Sequence, residues 1–186
     1  MRTWIGPAAV AFSALYLLSD VVEAIQGGFS TGQLWLTLVA EAALPVIVIG
    51  LYLVQRPRMG RMARVSASAY AYAYVFFTGT VVYALVADVP DFGALDHDLS
   101  PWMTIHGAIM LFAGLAFGAA VLRAGVLPRW TAVALMAGVV LVSAAQGLPD
   151  GVQLVCAGIR DLGFAGMGAA VARSSAPIRE RIPAAA

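Results

Sequence analysis

The chain reads as an all-α, polytopic membrane bundle of about six transmembrane helices, with both termini cytoplasmic. Composition is the first reason: 61% of the 186 residues are hydrophobic and only 11% are charged, where a soluble domain carries roughly 25% charged residues. The second is that the apolar residues gather into six runs, each close to the ~20 residues that a helix needs to cross a bilayer. The third is that arginines and acids occupy alternate connections. The shortage of charge argues against an ordinary soluble globule, a disordered chain and a nucleic-acid partner, and a net charge of +1 names no partner. The basic residues are all arginine, a compositional mark of a GC-rich genome. With Cys156 as the single cysteine, an intramolecular disulfide, a CxxC pair and a multi-thiolate metal site are excluded.

The apolar runs cover about 4–25, 34–54, 65–87, 102–122, 129–148 and 151–172. They form one domain over 1–172, followed by a short cytoplasmic tail over 173–186. Gly27-Gly28, Pro57, Pro90, Pro101, Pro128 and Pro149 punctuate the gaps. The first run is preceded by Arg2 but leaves through the acidic Ser19-Asp20-Val21-Val22-Glu23 with no A-x-A site, so it reads as a retained helix. The last two runs are joined only by Leu148-Pro149-Asp150-Gly151 and should pack antiparallel. With six alternating spans, Arg2, Arg56, Arg58, Arg61, Arg64, Arg123, Arg129, Arg173, Arg179 and Arg181 share one side. Asp88, Asp91, Asp96, Asp98 and Asp150 share the other. The positive-inside rule makes the arginine side cytoplasmic and the location a cell membrane. Three helical hairpins arranged in a ring would fit the spacing of Arg and Pro at the helix ends.

Ionisable groups at membrane depth are costly and so mark candidate sites. Tyr16, Asp20 and Glu23 share a face of the first helix. Glu41 lies about 10 Å below the outer end of the second helix. Trp102 and His106 begin the fourth; Gln146 and Asp150 are expected to close the fifth. Gln153, Arg160 and Asp161 belong to the sixth, where Arg160 and Asp161 point about 100° apart and are expected to pair with other helices. In the third helix, Tyr70, Tyr74 and Phe77 follow one face, and Tyr72, Phe76 and Tyr83 another. Such rings can shelter positive charge. The loop acids Asp88, Asp91, Asp96 and Asp98 read as solvated surface. Four acids (Asp20, Glu23, Glu41, Asp161) against Arg160 and His106 cannot all be matched, so at least one is expected to hold its proton. A held proton beside an apolar cavity is a general acid or a transported proton.

No phosphate-binding G-x-x-x-x-G-K-[ST] loop, H-E-x-x-H or Gly-x-Ser-x-Gly elbow is present. Asp96-His97-Asp98 resembles a fragment of a diphosphate-binding motif but is expected in a loop. No metal and no cofactor is implied.

Tyr16 with Ser19-Asp20, an acid inside the second helix (Glu41) and an acid in the last (Asp161) resemble the small integral-membrane terpene cyclases of meroterpenoid and indole-sesquiterpene pathways. The chain departs from that family in having six expected helices where seven are usual, and Ala40 where a tryptophan typically accompanies the helix-two acid. The resemblance implies a cofactor-independent cyclase or isomerase acting on a lipophilic, terpenoid or polyketide-like small molecule. Catalytic roles would fall to Glu41, Asp161 and Asp20, and substrate contacts to Tyr16, Glu23, Trp102, His106, Gln146, Gln153, Arg160, Tyr74 and Phe77. A small proton-coupled transporter or exporter, forming a homo-oligomer in the bilayer, is the alternative reading of the same carboxylates.

Overall fold

The computed structural model describes residues 2–175, and every element among them is helical. The helices are α1 (Arg2–Gln26), α2 (Thr31–Gln55), α3 (Arg61–Ala87), α4 (Phe92–Leu99), α5 (Trp102–Ala124), α6 (Arg129–Ala144) and α7 (Asp150–Ser175), with a 3-10 turn at Arg56–Arg58. Arg179, Arg181 and most of the expected tail lie outside the described residues. Five helices (α1, α2, α3, α5 and α7) are long and apolar enough to cross a membrane.

The six longer helices close into a ring in chain order, α1–α2–α3–α5–α6–α7 and back to α1. Each is antiparallel to its neighbours: Tyr16 meets Glu41 across α1 and α2, Tyr72 meets His106 across α3 and α5, and Gly138 meets Arg160 across α6 and α7. All odd connections therefore gather at one end and all even ones at the other. Asp88, Asp91, Asp96, Asp98 and Asp150 mark an acidic end, and Arg56, Arg58, Arg61, Arg64, Arg123, Arg129 and Arg173 an arginine end. All four tryptophans are exposed in the opening turns of helices, Trp4 and Trp130 near the arginine end and Trp35 and Trp102 near the acidic end. Amphipathic indoles favour that level in a bilayer.

α7 packs most intimately. A Cβ on Gly138 would strike the Arg160 backbone, one on Gly163 would come within 2.7 Å of the Leu135 amide, and one on Gly6 within 2.6 Å of the Ala172 amide. Between apolar helices in lipid, such close backbone approach supplies the dispersion energy that the hydrophobic effect supplies in water.

Two boundaries differ from expectation. Residues 92–99 are not a loop. Asp91 takes an extended conformation and its side chain accepts the Ala94 amide at 2.8 Å, an N-cap that starts α4. Asp96, His97 and Asp98 are therefore helical. α6 also ends at Ala144 rather than at residue 148, because Gly147 takes a positive φ of 77° and Pro149 cannot continue the ladder. Gln146 thus sits in the turn, and Asp150 opens α7 instead of closing α6.

The glycine seam generates a prediction. Gly138→Ala should lower stability by about 1–3 kcal/mol, as overpacking does. Gly79→Ala, where nothing lies within 4 Å of a new Cβ, should leave it unchanged or slightly raised. Unfolding midpoints in detergent check both.

Candidate functional site

A cavity of about 460 Å³ opens at the acidic end and descends between α1, α2, α3 and α7. Polar stripes at helical spacing build one side. α1 contributes Tyr16, Asp20 and Glu23; α2 contributes Gln33, Thr37 and Glu41; α7 contributes Asp150, Gln153 and Arg160. The opposing wall is apolar: Phe77, Val81 and Ala84 of α3, with Phe92 and Leu95 of α4. Thr80 belongs to that wall because its hydroxyl is spent on the Phe77 carbonyl at 2.8 Å. The early end of α6 leaves Val142, Gln146 and Gly147 at the rim. Across the mouth, the Phe29 amide donates to the Pro90 carbonyl at 2.8 Å, and a Cβ on Gly28 would press on that same oxygen at 2.9 Å. The α1–α2 turn is thereby clipped to the start of α4.

The deepest groups lie level. Tyr16, Glu41 and Arg160 each sit ten residues from the acidic end of their helix, about 15 Å down at 1.5 Å per residue. Glu41 is deeper than expected because α2 starts at Thr31. The Tyr16 hydroxyl donates to Glu41 Oε1 at 3.0 Å, and the Arg160 guanidinium lies over the Tyr16 ring, 4.6 Å from its centroid. Arg160 Nη2 is 4.0 Å from Asp20 Oδ2.

Arg160 and Asp161 were expected to seek other helices. Arg160 does so through Asp20 and Tyr16 of α1, but its Nε also donates to Asp161 Oδ1 at 3.0 Å, because the flexible stem of arginine curls back across the angle between neighbouring positions. Asp161 is buried behind this pair and does not line the cavity. Its Oδ2 has no hydrogen-bond partner among the described residues.

Proline lacks an amide hydrogen, so Pro45 leaves the Glu41 carbonyl without its usual helical donor. Beneath Glu41 the bundle is closed by fully buried Leu44, Ile47, Leu51, Tyr70, Tyr74, Phe117 and Phe164.

Of the residues singled out in the sequence, Tyr16, Asp20, Glu23, Glu41, Phe77, Gln146, Gln153 and Arg160 line the cavity. Trp102, His106 and Tyr74 do not. Trp102 is exposed. His106 stacks on Phe76 with centroids 3.6 Å apart. Its Nδ1 donates to the Trp102 carbonyl at 2.9 Å, and its Nε2 is 3.0 Å from the Tyr72 hydroxyl. Both ring nitrogens are thus engaged between α3 and α5. Tyr74 is buried in the floor, its hydroxyl 3.2 Å from that of Tyr70. Asp91, expected as plain surface, caps α4 and also borders the cavity mouth.

Gln33 was not anticipated. It is buried, and its Nε2 lies 3.0 Å from Glu23 Oε2, 2.9 Å from Thr37 Oγ1 and 3.2 Å from Ser19 Oγ. It ties the upper halves of α1 and α2 together. The signal was available: Gln33, Thr37 and Glu41 recur every fourth residue in an otherwise apolar helix.

No family model, curated protein or solved structure matches this chain, and the chemistry of the cavity is read from its own residues.

The Arg160–Asp161 pair yields a double-mutant test. Arg160→Met should cost about 3–5 kcal/mol, since it leaves Asp161 buried without a base. Asp161→Leu added to that background should recover most of the loss. A cycle in which the two losses simply add would show that the pair is not coupled.

Proposed function

We propose that this is a membrane-embedded, cofactor-independent cyclase or isomerase that acts on a lipophilic, terpenoid- or polyketide-like substrate by carboxylic-acid proton transfer. The observation that carries the reading is the dead-ended cavity. Polar groups converge at its foot, one wall is apolar, and packed side chains close the path below Glu41.

In this reading the cell membrane surrounds six spanning helices, with the arginine end cytoplasmic. α6 has 16 residues, about 24 Å of helix against ~30 Å of hydrocarbon. Its place in the ring and the outward-facing Trp130 argue for it as a sixth span.

Glu41 is the general acid. It delivers its proton to an alkene or epoxide of the bound molecule, and Tyr16 holds its carboxyl group in place. The resulting carbocation rests against Phe77 and Phe92, and ring faces lower the energy of such charge. Asp20 takes a proton from the carbon skeleton, so the product is an isomer; exchange with water through the open mouth then returns Asp20 to carboxylate and Glu41 to acid, and no net proton is consumed. Arg160 has Nη hydrogens uncommitted to any hydrogen bond among the described residues, and it grips an oxygen of the substrate. Asp161 keeps that guanidinium oriented. The roles of Glu41 and Asp20 follow those implied by the resemblance to membrane terpene cyclases; Asp161, expected to be catalytic, instead acts through Arg160.

A proton-coupled transporter is the second reading, and Pro45 favours it. The carbonyl it frees lies beside a buried carboxyl group, and polar groups of this kind at membrane depth mark ion and proton pathways.

Two measurements test these readings. For topology, Arg61→Cys and Asp96→Cys are made separately in a Cys156→Ser background. An impermeant maleimide added to intact cells should label position 96 only; labelling of position 61 would reverse the orientation. For chemistry, detergent-solubilised protein in D2O is offered linear polyprenyl alkenes and epoxides. An enzyme should release isomers, carrying one carbon-bound deuteron when an alkene is protonated and a new hydroxyl without retained deuterium when an epoxide is opened, with chelator having no effect. Glu41→Gln should reduce turnover at least ~100-fold, the scale of general acid catalysis, while Asp88→Asn should have no effect. A transporter would give no product in detergent, and accumulation in vesicles that a protonophore abolishes.

A further inference from the structure

At the arginine end, far from the cavity, the end of α2 and the start of α3 leave a groove of about 300 Å³ between them. Ile49, Tyr52, Leu53, Arg56, Arg64 and Ser68 line it. The order matters. Ile49 and Leu53 are successive turns of one face of α2, and Arg56 lies about 10 Å beyond Ile49 toward the helix end. The groove is thus aliphatic toward the middle of the bundle and cationic at its rim.

Tyr52 fixes the rim. Its ring is buried, and its hydroxyl accepts from Arg64 Nε at 3.4 Å, which leaves the forked end of the guanidinium free. Neither Arg56 nor Arg64 is in an ion pair among the described residues. No acid occurs in the sequence between Glu41 and Asp88, while Arg58 and Arg61 add to the positive potential. Nothing within the hairpin neutralises this rim.

Two free guanidinium groups suit a phosphate, since their planar forks match its oxygens. An aliphatic wall running inward from them suits an acyl chain. A free phosphate would use only the first feature, and a zwitterionic lipid would bring its own cation against the arginines. We propose that the α2–α3 groove is a binding site for one anionic phospholipid, its phosphate between Arg56 and Arg64 and one acyl chain along Ile49 and Leu53. The site needs a membrane around the helices but does not depend on the chemistry assigned to the cavity.

The test is native mass spectrometry of the full chain in detergent with added phosphatidylglycerol or phosphatidylcholine of identical chains. One phosphatidylglycerol should survive activation that strips phosphatidylcholine. Arg56→Gln and Arg64→Gln should each lower its occupancy about fivefold, the usual contribution of one basic residue near an anionic lipid. Both side chains are exposed, so these variants should keep the wild-type thermal midpoint. Leu53→Trp, which fills the aliphatic part, should also displace the lipid with both arginines intact. Arg129→Gln, on α6 across the ring, should change nothing. Three results would overturn the proposal: equal retention of both lipids, an equal loss in Arg129→Gln, or displacement by glycerophosphoglycerol (the headgroup without chains) at the lipid's own concentration. The last would identify a plain anion site.

Discussion

Arg160 is a guanidinium set about 15 Å into an apolar bundle, and such a group must be matched where it stands. Its backbone is pinned by the contact with Gly138, so α7 cannot rotate to carry the charge elsewhere. The side chain takes Asp161 as its close partner, approaches Asp20, and covers the Tyr16 ring. Tyr16 passes the connection on by donating to Glu41. One chain of contacts thus runs from α7 through α1 to α2 and sets the level at which the cavity ends. Without it, Tyr16, Glu41 and Arg160, on three helices, would have no reason to share a floor.

The two walls of the cavity answer different physical demands. On α1, α2 and α7, polar side chains buried in a bundle need partners, and Gln33 supplies several of them at once. On α3 and α4, Thr80 turns its hydroxyl back to its own helix, leaving a surface with little affinity for water. An amphipathic molecule fits between such walls better than a uniformly polar or uniformly apolar one. α4 completes the second wall, and it exists because Asp91 caps eight residues that lack the length to span anything.

The long helices were legible because lipid imposes both length and apolarity, and the six runs reappear as six helices of the ring. The placing of Glu41 and Arg160 well inside the bundle was legible too, although Glu41 proved deeper than expected because α2 starts earlier. What failed depended on local chemistry or on neighbours. α4 was hidden by its charge, which reads as loop until Asp91 is recognised as a cap. The end of α6 turned on the backbone angle of Gly147. His106 looked like a cavity residue because depth was known but azimuth was not. Around a helix, 100° separates a residue that faces the cavity from one wedged against α3. The same ambiguity hid the bond between Arg160 and Asp161, where side-chain flexibility overrode the geometry of Cβ directions.

The closed floor beneath Glu41 has a kinetic meaning. A chamber with a single door cannot be flushed through, so whatever enters must leave by the route it took. Anything still inside excludes the next arrival, and any molecule resembling the departing one competes with the incoming one for the same mouth. Traffic in such a chamber is sequential, one occupant at a time. The clip between the α1–α2 turn and Pro90 spans that doorway, so the one route in and out passes beside a hydrogen-bonded backbone rather than a loose loop.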